Sequence, residues 1–209
     1  MTTPHLDYEQ QFIRAGQMPV AGADEAGRGA WAGPVVAGAV ILNLTTVDNL
    51  RAVNDSKRLL PQRRAELYLV ITQHCLTYGL GQASAEEIDT LGILPATRLA
   101  MMRAIEALSP RPAALIIDAV RLPQVALPQA VFNFADSISL SVAAASILAK
   151  VTRDRLMIQA DGLYPAYGFA RHKGYGTRFH QAALQSVGPC AFHRQSFKPI
   201  RVLLAEHMI

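Results

Sequence analysis

The chain has few cysteines, no paired metal-binding histidines and no long apolar segment, and each of these absences excludes a class of protein. Its two cysteines, Cys75 and Cys190, are far apart and lack the spacing of a zinc site, so we interpret them as free thiols of a reducing compartment. The six histidines include no H-x-x-x-H pair. No apolar run is long enough to span a membrane, and the polar segment 1–14 lacks the pattern of a signal peptide. We therefore expect a cytoplasmic protein that does not bind membranes.

The composition favours a folded domain with a basic surface. The chain has 209 residues, of which 51% are hydrophobic, which is enough for one substantial core. The formal net charge is +4, which is compatible with nucleic-acid binding without requiring it. The cations cluster in three places, which are the segments 51–64, 150–155 and 171–201.

The stretch from Val20 to Leu42 contains two predicted strands joined by a glycine-rich turn. Strand one covers 18–23 and strand two covers 35–42. Between them lie the adjacent acids Asp24 and Glu25, followed by Gly27-Arg28-Gly29. Adjacent strand residues point to opposite faces. Both acids can therefore reach one site only if Glu25 already lies in the turn, which we expect.

The remaining pattern alternates predicted helices and strands, which is typical of an α/β fold. We predict helices at 7–15, 61–74, 95–108 and 139–160, the last ended by Gly162, with a shorter helix capped by Ser84. Further strands are expected at 77–83, 113–117 and 131–135. Small residues in the centre of the long helix let it lie close to a sheet. We predict a catalytic domain over 1–176 and a helical extension over 177–209 packed on it, with a helix after Thr177 and another from about Ile200.

Carboxylates follow three of the predicted strands, at Asp24 and Glu25, at Asp118 and at Asp136. Neighbouring strand ends are roughly 5 Å apart, so four carboxylates gathered there would repel one another unless a cation held them. An all-oxygen set of ligands suits Mg²⁺ or Mn²⁺ rather than zinc. Two such ions form the arrangement used for phosphoryl displacement. We therefore predict a two-metal site that hydrolyses phosphodiesters.

Two other interpretations stay open at this point. The residues from Gly27 to Ala32 fit the pattern G-x-G-x-x-A, which would indicate a nicotinamide-dinucleotide-binding oxidoreductase. That pattern requires a helix directly after the glycines, whereas here Gly33 and Pro34 lead into a predicted strand. A non-catalytic nucleic-acid-binding domain would explain the cations but not the acids.

Four motifs in fixed order identify a resemblance to ribonuclease HII, the type 2 ribonuclease H family. They are Ala23-Asp24-Glu25-Ala-Gly27-Arg28-Gly29 with Ala-Gly-Pro-Val-Val after it; Asp55-Ser56-Lys57; Ala135-Asp136 followed by Ala143 to Asp154; and Tyr167 to Thr177. They cover the chain from about Val20 to Pro199. The resemblance implies a ribonuclease H-like fold, a mixed five-stranded sheet with helices on both sides. It also implies an endonuclease that cuts the RNA strand of RNA–DNA hybrids and nicks duplex DNA at single ribonucleotides, leaving 3′-hydroxyl and 5′-phosphate ends.

The resemblance also implies roles for particular residues. Asp24, Glu25, Asp118 and Asp136 correspond to the metal-binding catalytic acids. The residues Gly27, Arg28 and Gly29 correspond to a loop that contacts the ribonucleotide 2′-hydroxyl. Tyr175 corresponds to the residue against the sugar at the RNA–DNA junction.

Other expectations concern phosphates, partners and one departure from the family pattern. Lys57, Lys150 and Lys173 are candidate phosphate contacts. We expect a monomer; a sliding clamp is a candidate partner, although the C-terminus contains no clear clamp-binding peptide. After the third acid the family usually has glycine and asparagine, whereas this chain has Ala119 and Val120. A less flexible turn there bears on the placement of Asp118.

Overall fold

The computed structural model describes residues 3–206, and its centre is the predicted mixed sheet of five strands. The strands are β1 (Val20–Ala26), β2 (Val35–Leu42), β3 (Cys75–Ala83), β4 (Ala114–Asp118) and β5 (Gln129–Phe132). Their order across the sheet is β3-β2-β1-β4-β5. The pairs β1–β2 and β2–β3 are antiparallel, whereas β1–β4 and β4–β5 are parallel. The acid-bearing strand β1 therefore lies at the middle of the sheet.

Helices cover both faces of the sheet, as the sequence predicts. One face packs on α4 (Ile93–Glu106), preceded by α3 (Ala85–Leu91). The other face packs on α2 (Pro61–His74) and on α5 (Leu140–Leu163). A terminal helix at the start of the chain, α1, spans Asp7–Arg14. The remaining helices are α6 (Phe169–His172), α7 (Arg178–Val187) and α8 (Lys198–Glu206).

The long helix α5 lies against the backbone of the central strands, which explains its small residues. A Cβ atom on Gly22 would lie 2.3 Å from the Ser141 carbonyl carbon, and one on Gly38 would lie 2.5 Å from the Ala145 carbonyl oxygen. Such distances leave no room for a side chain at either glycine. Close packing of this kind holds the acids of β1 at a fixed distance from the side chains of α5.

Several predicted boundaries are wrong, each for a local reason. The helix α4 begins at Ile93 rather than at residue 95, because Pro95 is its third residue, where a missing N–H costs nothing. The helix α5 continues through Gly162 to Leu163. The strand β5 ends at Phe132, four residues before Asp136, which lies in a short 3-10 helix over Ala135–Ser137.

The residues after α5 form an aromatic cluster rather than a plain loop. The segment 164–177 contains a 3-10 turn at Pro165–Tyr167 and the short helix α6. Residues of α5, α6, α7 and α8 share a small core with Ala32, which comes directly after the glycine-rich turn; its buried members are Ala32, Met157, Ala160, Tyr167, Phe169, Leu184 and Ile200. The C-terminal segment thus packs beside the end of β1. Of the helices within residues 3–206, none has the length and apolar character needed to cross a bilayer.

Candidate active site

Asp24 and Glu25 both lie inside β1, where they pair with Gly38 and Ala37 of β2. The expectation that Glu25 lies in the turn is therefore wrong. Both acids nevertheless line one cavity of about 330 Å³, together with Asp118. Arg28, three residues after Glu25, donates from Nη1 to its Oε1 at 3.1 Å. This pairing with a loop cation holds the Glu25 carboxylate at the cavity although its strand position alternates with that of Asp24.

The Asp24 carboxyl group is the most deeply placed acid of the cavity. Its residue is only 3% exposed, and Oδ1 accepts the backbone N–H of Glu25 at 2.7 Å. Burial raises its pKa well above the usual value, and repulsion from Glu25 and Asp118 adds to the rise. A hydrogen bond from the Ser146 side chain acts in the opposite direction. Burial also raises the pKa of Glu25, against the lowering effect of Arg28. Without a further cation, this pair resists carrying two negative charges.

Asp118 and Asp136 approach β1 from the parallel half of the sheet. Asp118 ends β4, and its Oδ1 accepts the backbone N–H of Ala135 at 2.7 Å. Asp136 is 1% exposed and does not line the cavity itself. Burial raises its pKa, with Lys57 lowering it and Asp55 and Asp118 raising it. The strands β1 and β4 thus bring three acids to one cavity, and the 3-10 helix after β5 places the fourth within electrostatic reach of Asp24 and Asp118.

The departure from the family pattern after Asp118 is visible as backbone strain. Ala119 has a φ of +52°, and the N–H of Val120 donates to the Asp118 carbonyl at 2.6 Å. This is a tight turn about Ala119, in a conformation that costs an alanine about 1–2 kcal/mol. The acid keeps its contact with Ala135 despite the alanine, so the strain is local to the turn.

The loop Gly27-Arg28-Gly29 forms one wall of the cavity, and residues 30–34 connect it to β2. Gly27 has a φ of +99°, which only glycine adopts readily. A Cβ on Gly29 would meet no atom within 4 Å, so open space lies beside it. Because a strand rather than a helix follows at Val35, the dinucleotide-binding pattern lacks the context that it requires.

Among the predicted substrate residues, Tyr175, Lys57 and Lys150 line the same cavity as the acids. Lys150 also forms a 2.7 Å ion pair with Asp154. Lys173 does not reach this cavity; it lines a neighbouring cavity of about 350 Å³, which Lys150 joins to the first. Its ammonium is held by the Ala170 carbonyl oxygen.

Several residues that shape the site were not predicted. Ser146 is hydrogen-bonded to Asp24, and its hydroxyl lies 2.9 Å from that of Ser56. Both serines lie inside motifs of the family, but nothing in the sequence indicates that they contact each other. Arg153 and Arg194 lie beneath the glycine loop, fully buried. Arg153 lies in the motif that runs from Ala143 to Asp154, whereas Arg194 belongs only to the cation-rich segment 171–201, which gives no sign of its buried position.

The four acids fit a hard divalent cation by the chemistry of their donors. All are carboxylates, which suit Mg²⁺ or Mn²⁺. Glu25 Oε2 and Asp136 Oδ2 are buried without a hydrogen-bond partner among residues 3–206, although the Lys57 ammonium lies 3.6 Å from Asp136 Oδ2. Buried carboxylate oxygens without hydrogen bonds are stabilised by a cation. Within that same range, no group of three acidic, histidine or cysteine side chains already forms a metal site. The donor types and the oxygens that lack hydrogen bonds therefore match a metal, while the exact ligand arrangement is not preformed.

Comparisons with known proteins agree on one family. The family described as Ribonuclease HII matches residues 21–200. The Ribonuclease HII of Chloroflexus aurantiacus is 53% identical over 200 residues, which are 94% of this chain and 94% of that protein. Among solved structures, ribonuclease H2 of Pyrococcus horikoshii OT3 matches with a TM-score of 0.77 at 25% identity, covering 90% of this chain and 98% of that one. RNase HII of Archaeoglobus fulgidus, solved in complex with PCNA, matches with a TM-score of 0.74 at 26% identity, covering 88% and 96%.

Proposed function

The chain belongs to the ribonuclease HII family of metal-dependent endonucleases, and we propose that it both cuts the RNA strand of RNA–DNA hybrids and nicks duplex DNA at single ribonucleotides. One observation carries the second activity. The acids Asp24, Glu25 and Asp118 share a single cavity with the Gly27–Gly29 loop and Tyr175. A group held by that loop would lie beside the hydrolytic centre, so recognition and cleavage act on the same nucleotide.

In this proposal Asp24, Glu25, Asp118 and Asp136 hold two divalent ions, Mg²⁺ or Mn²⁺. Bound there, such ions would supply activation of water and stabilisation of the leaving 3′ oxygen, which would give 3′-hydroxyl and 5′-phosphate ends. The protein residues keep the carboxylates in place. Ser146 and the N–H of Glu25 hold Asp24, the N–H of Ala135 holds Asp118, and Arg28 holds Glu25.

Recognition of RNA is assigned to the 2′-hydroxyl, the group that distinguishes RNA from DNA at one sugar. The backbone amides and carbonyls of Gly27–Gly29 are short-range partners for a group that is both donor and acceptor. Tyr175 is 38% exposed, so its ring is available to a sugar. The loop and the ring both lie beside the acids, which supports recognition of a single ribonucleotide.

In the same proposal, the cations around the two adjoining cavities bind the phosphates of the nucleic-acid backbone. Lys57 and Lys150 line the first, and Lys173 lines the second. Arg64, Arg155 and Arg171 join Lys173 there, with Asp154 as the acid among the lining residues. The charge imbalance favours phosphates, and Lys150, shared by both cavities, makes the basic surface continuous.

We further propose that the protein acts as a monomer in the cytoplasm. A sliding clamp is a candidate partner because the Archaeoglobus fulgidus relative was solved with PCNA. Co-elution of this chain with the clamp of its own host tests the partner, and light scattering tests the monomer.

A single cleavage assay tests the central proposal. The substrates are a DNA duplex with one ribonucleotide and an RNA–DNA hybrid, each incubated with Mg²⁺, with Mn²⁺ or with EDTA, and an all-DNA duplex is the control. We expect one nick at the ribonucleotide, dependent on the divalent ion, with a 3′-hydroxyl that a polymerase can extend. An uncut ribonucleotide duplex, alongside a cut RNA–DNA hybrid, would restrict the activity to hybrids.

A further inference from the structure

Two fully buried arginines, Arg153 and Arg194, donate their hydrogen bonds to backbone carbonyls. Within residues 3–206, no salt bridge joins either of them to a carboxylate. Burying a guanidinium without an anion is costly. Burial, together with the neighbouring charge of Arg153, lowers the pKa of Arg194 to about 9. Because burying these two like charges is unfavourable, we looked for a role in the backbone carbonyls that they bind.

Arg194 binds the glycine loop at two points and the segment that follows the loop at a third. Its Nη2 donates to the Gly27 carbonyl at 2.8 Å, its Nη1 to the Arg28 carbonyl at 2.9 Å, and its Nε to the Gly33 carbonyl at 2.9 Å. A rigid planar guanidinium bonded to three carbonyls fixes their relative orientation. Since each peptide group is planar, the bonds to the Gly27 and Arg28 carbonyls also fix the direction of the N–H groups of Arg28 and Gly29.

Arg153 joins that loop to the segment that carries Tyr175. From α5 it donates to the carbonyls of Pro34 at 2.9 Å, Ala32 at 3.1 Å and Lys173 at 2.9 Å. Its guanidinium carbon lies 5.5 Å from the centre of the Tyr175 ring, within the range of a cation–π contact. A Cβ on Gly27 would lie 1.9 Å from Arg153 Nε, so the arginine packs directly beneath the loop.

We propose that Arg153 and Arg194 are positioning residues for ribonucleotide selectivity, because together they hold the Gly27–Gly29 loop and Tyr175 in register around the 2′-hydroxyl. This inference rests on the proposed function. It also gives the C-terminal segment, which supplies Arg194, a part in substrate selection. Neither arginine touches the reacting atoms; each acts through the backbone that it holds.

The test compares affinities for two duplexes that differ only in one 2′-hydroxyl. The variants Arg194→Lys and Arg153→Lys keep the charge but lose the planar fork, and Arg103→Lys is the matched control. Arg103 also donates to a backbone carbonyl, that of Gln82, but lies on α4 away from the cavity. Binding is measured in Mg²⁺ in an Asp24→Asn background, so that the substrate is not consumed, and melting temperatures are recorded alongside.

The measured quantity is the affinity for the ribonucleotide duplex divided by the affinity for the all-DNA duplex. We expect each positioning variant to lower this ratio by about fivefold, which corresponds to the loss of roughly one net hydrogen bond. Affinity for the all-DNA duplex should stay within twofold, as for Arg103→Lys. An unchanged ratio would overturn the inference. Equal loss on both duplexes would also overturn it, since that indicates a purely structural role. If the parent protein itself has no preference for the ribonucleotide duplex, the proposed function fails first and this inference with it.

Discussion

The ammonium of Lys57 lies 3.6 Å from Oδ2 of Asp136, so an exposed cation reaches a carboxylate that is almost fully buried. Burial lowers the pKa of Lys57, but the carboxylates of Asp136, Asp24, Asp55 and Asp118 together outweigh this and raise it. The Lys57 side chain is 71% exposed, and its residue lies in the short 3-10 helix Ser56–Arg58. It can therefore turn from the acids towards a phosphate once other cations balance the acids.

Replacing Lys57 with methionine tests whether this lysine contacts a phosphate of the nucleic acid. We expect the slope of log affinity against log salt for a duplex to become shallower by about 0.9, the value for one duplex phosphate contact. Fluorescence anisotropy over a salt series measures the slope, with Arg103→Met as the control. A slope identical to that of the parent would show that Lys57 serves only as a counter-ion of Asp136.

The Asp24→Asn variant should lose activity while gaining stability. The amide keeps the shape but removes a predicted metal ligand, so turnover should fall by about a hundredfold or more. In EDTA the melting temperature should rise by about 2–4 °C for each kcal/mol of relieved repulsion and desolvation. Asp48→Asn, at a side chain that is 79% exposed, should change neither quantity. Near-parental turnover in Asp24→Asn would rule out this site.

Tyr175 should matter most for a lone ribonucleotide. Tyr175→Phe keeps the ring beside Arg153 and removes the hydroxyl, whereas Tyr175→Ala removes both. We expect kcat/KM on a single ribonucleotide in DNA to fall about tenfold for phenylalanine and further for alanine, with a smaller loss on a continuous hybrid. Circular dichroism should stay unchanged. Parental rates in both variants, or losses that follow stability alone, would contradict a role at the junction.

Ala119→Gly should stabilise the protein. Glycine adopts the φ of +52° found at Ala119 without the steric cost, and the gain exceeds the added entropy of the unfolded chain. We expect an increase of about 0.5–1 kcal/mol in the free energy of unfolding, measured by urea denaturation. Ala182→Gly, at an exposed position of α7, should instead destabilise by a similar amount. A destabilised Ala119→Gly would mean that the turn is not strained.

The histidine pair His180 and His193 should make the protein sensitive to acid. Their Nε2 atoms are 3.0 Å apart, and burial lowers the pKa of each to about 4. The unfolded histidines titrate near 6.5, so the unfolded chain binds more protons between pH 6.5 and 4. The stability contributed by neutral histidines is complete above pH 6.5 and is lost as the pH falls towards 4.

Urea denaturation at several pH values measures this contribution. His180→Gln should reduce the dependence of stability on pH in that interval by up to about 1.4 kcal/mol per pH unit, one proton's worth. His5→Gln, near the start of the chain and outside the pair, provides the comparison. Equal pH dependence in the parent and in His180→Gln would show that this histidine does not link folding to protons.

Much of the fold follows from local patterns in the sequence. The predicted bounds of β2 and α2 match the structure, because a continuous apolar run and a proline at the first helical turn are local signals. The capping serine and threonine, Ser84 and Thr177, begin α3 and α7 for the same reason. The acids and the glycine loop could also be predicted. Asp24 and Glu25 form one contiguous motif with the loop, and Asp118 and Asp136 each follow a predicted strand.

Only the tertiary structure decided how these residues meet. The side of the cavity on which Glu25 lies depends on Arg28 and on the pairing with β2, and the 3-10 turn of Asp136 depends on its packing under α5. Lys173 is next to Gly174 and Tyr175 in sequence, yet it lines a different cavity. The bond between Arg194 and the Gly27 carbonyl joins residues 167 positions apart. The sequence by itself determined which chemical groups the site contains, because propensity and motif are local; the fold determined their register, because burial and long-range hydrogen bonds are not.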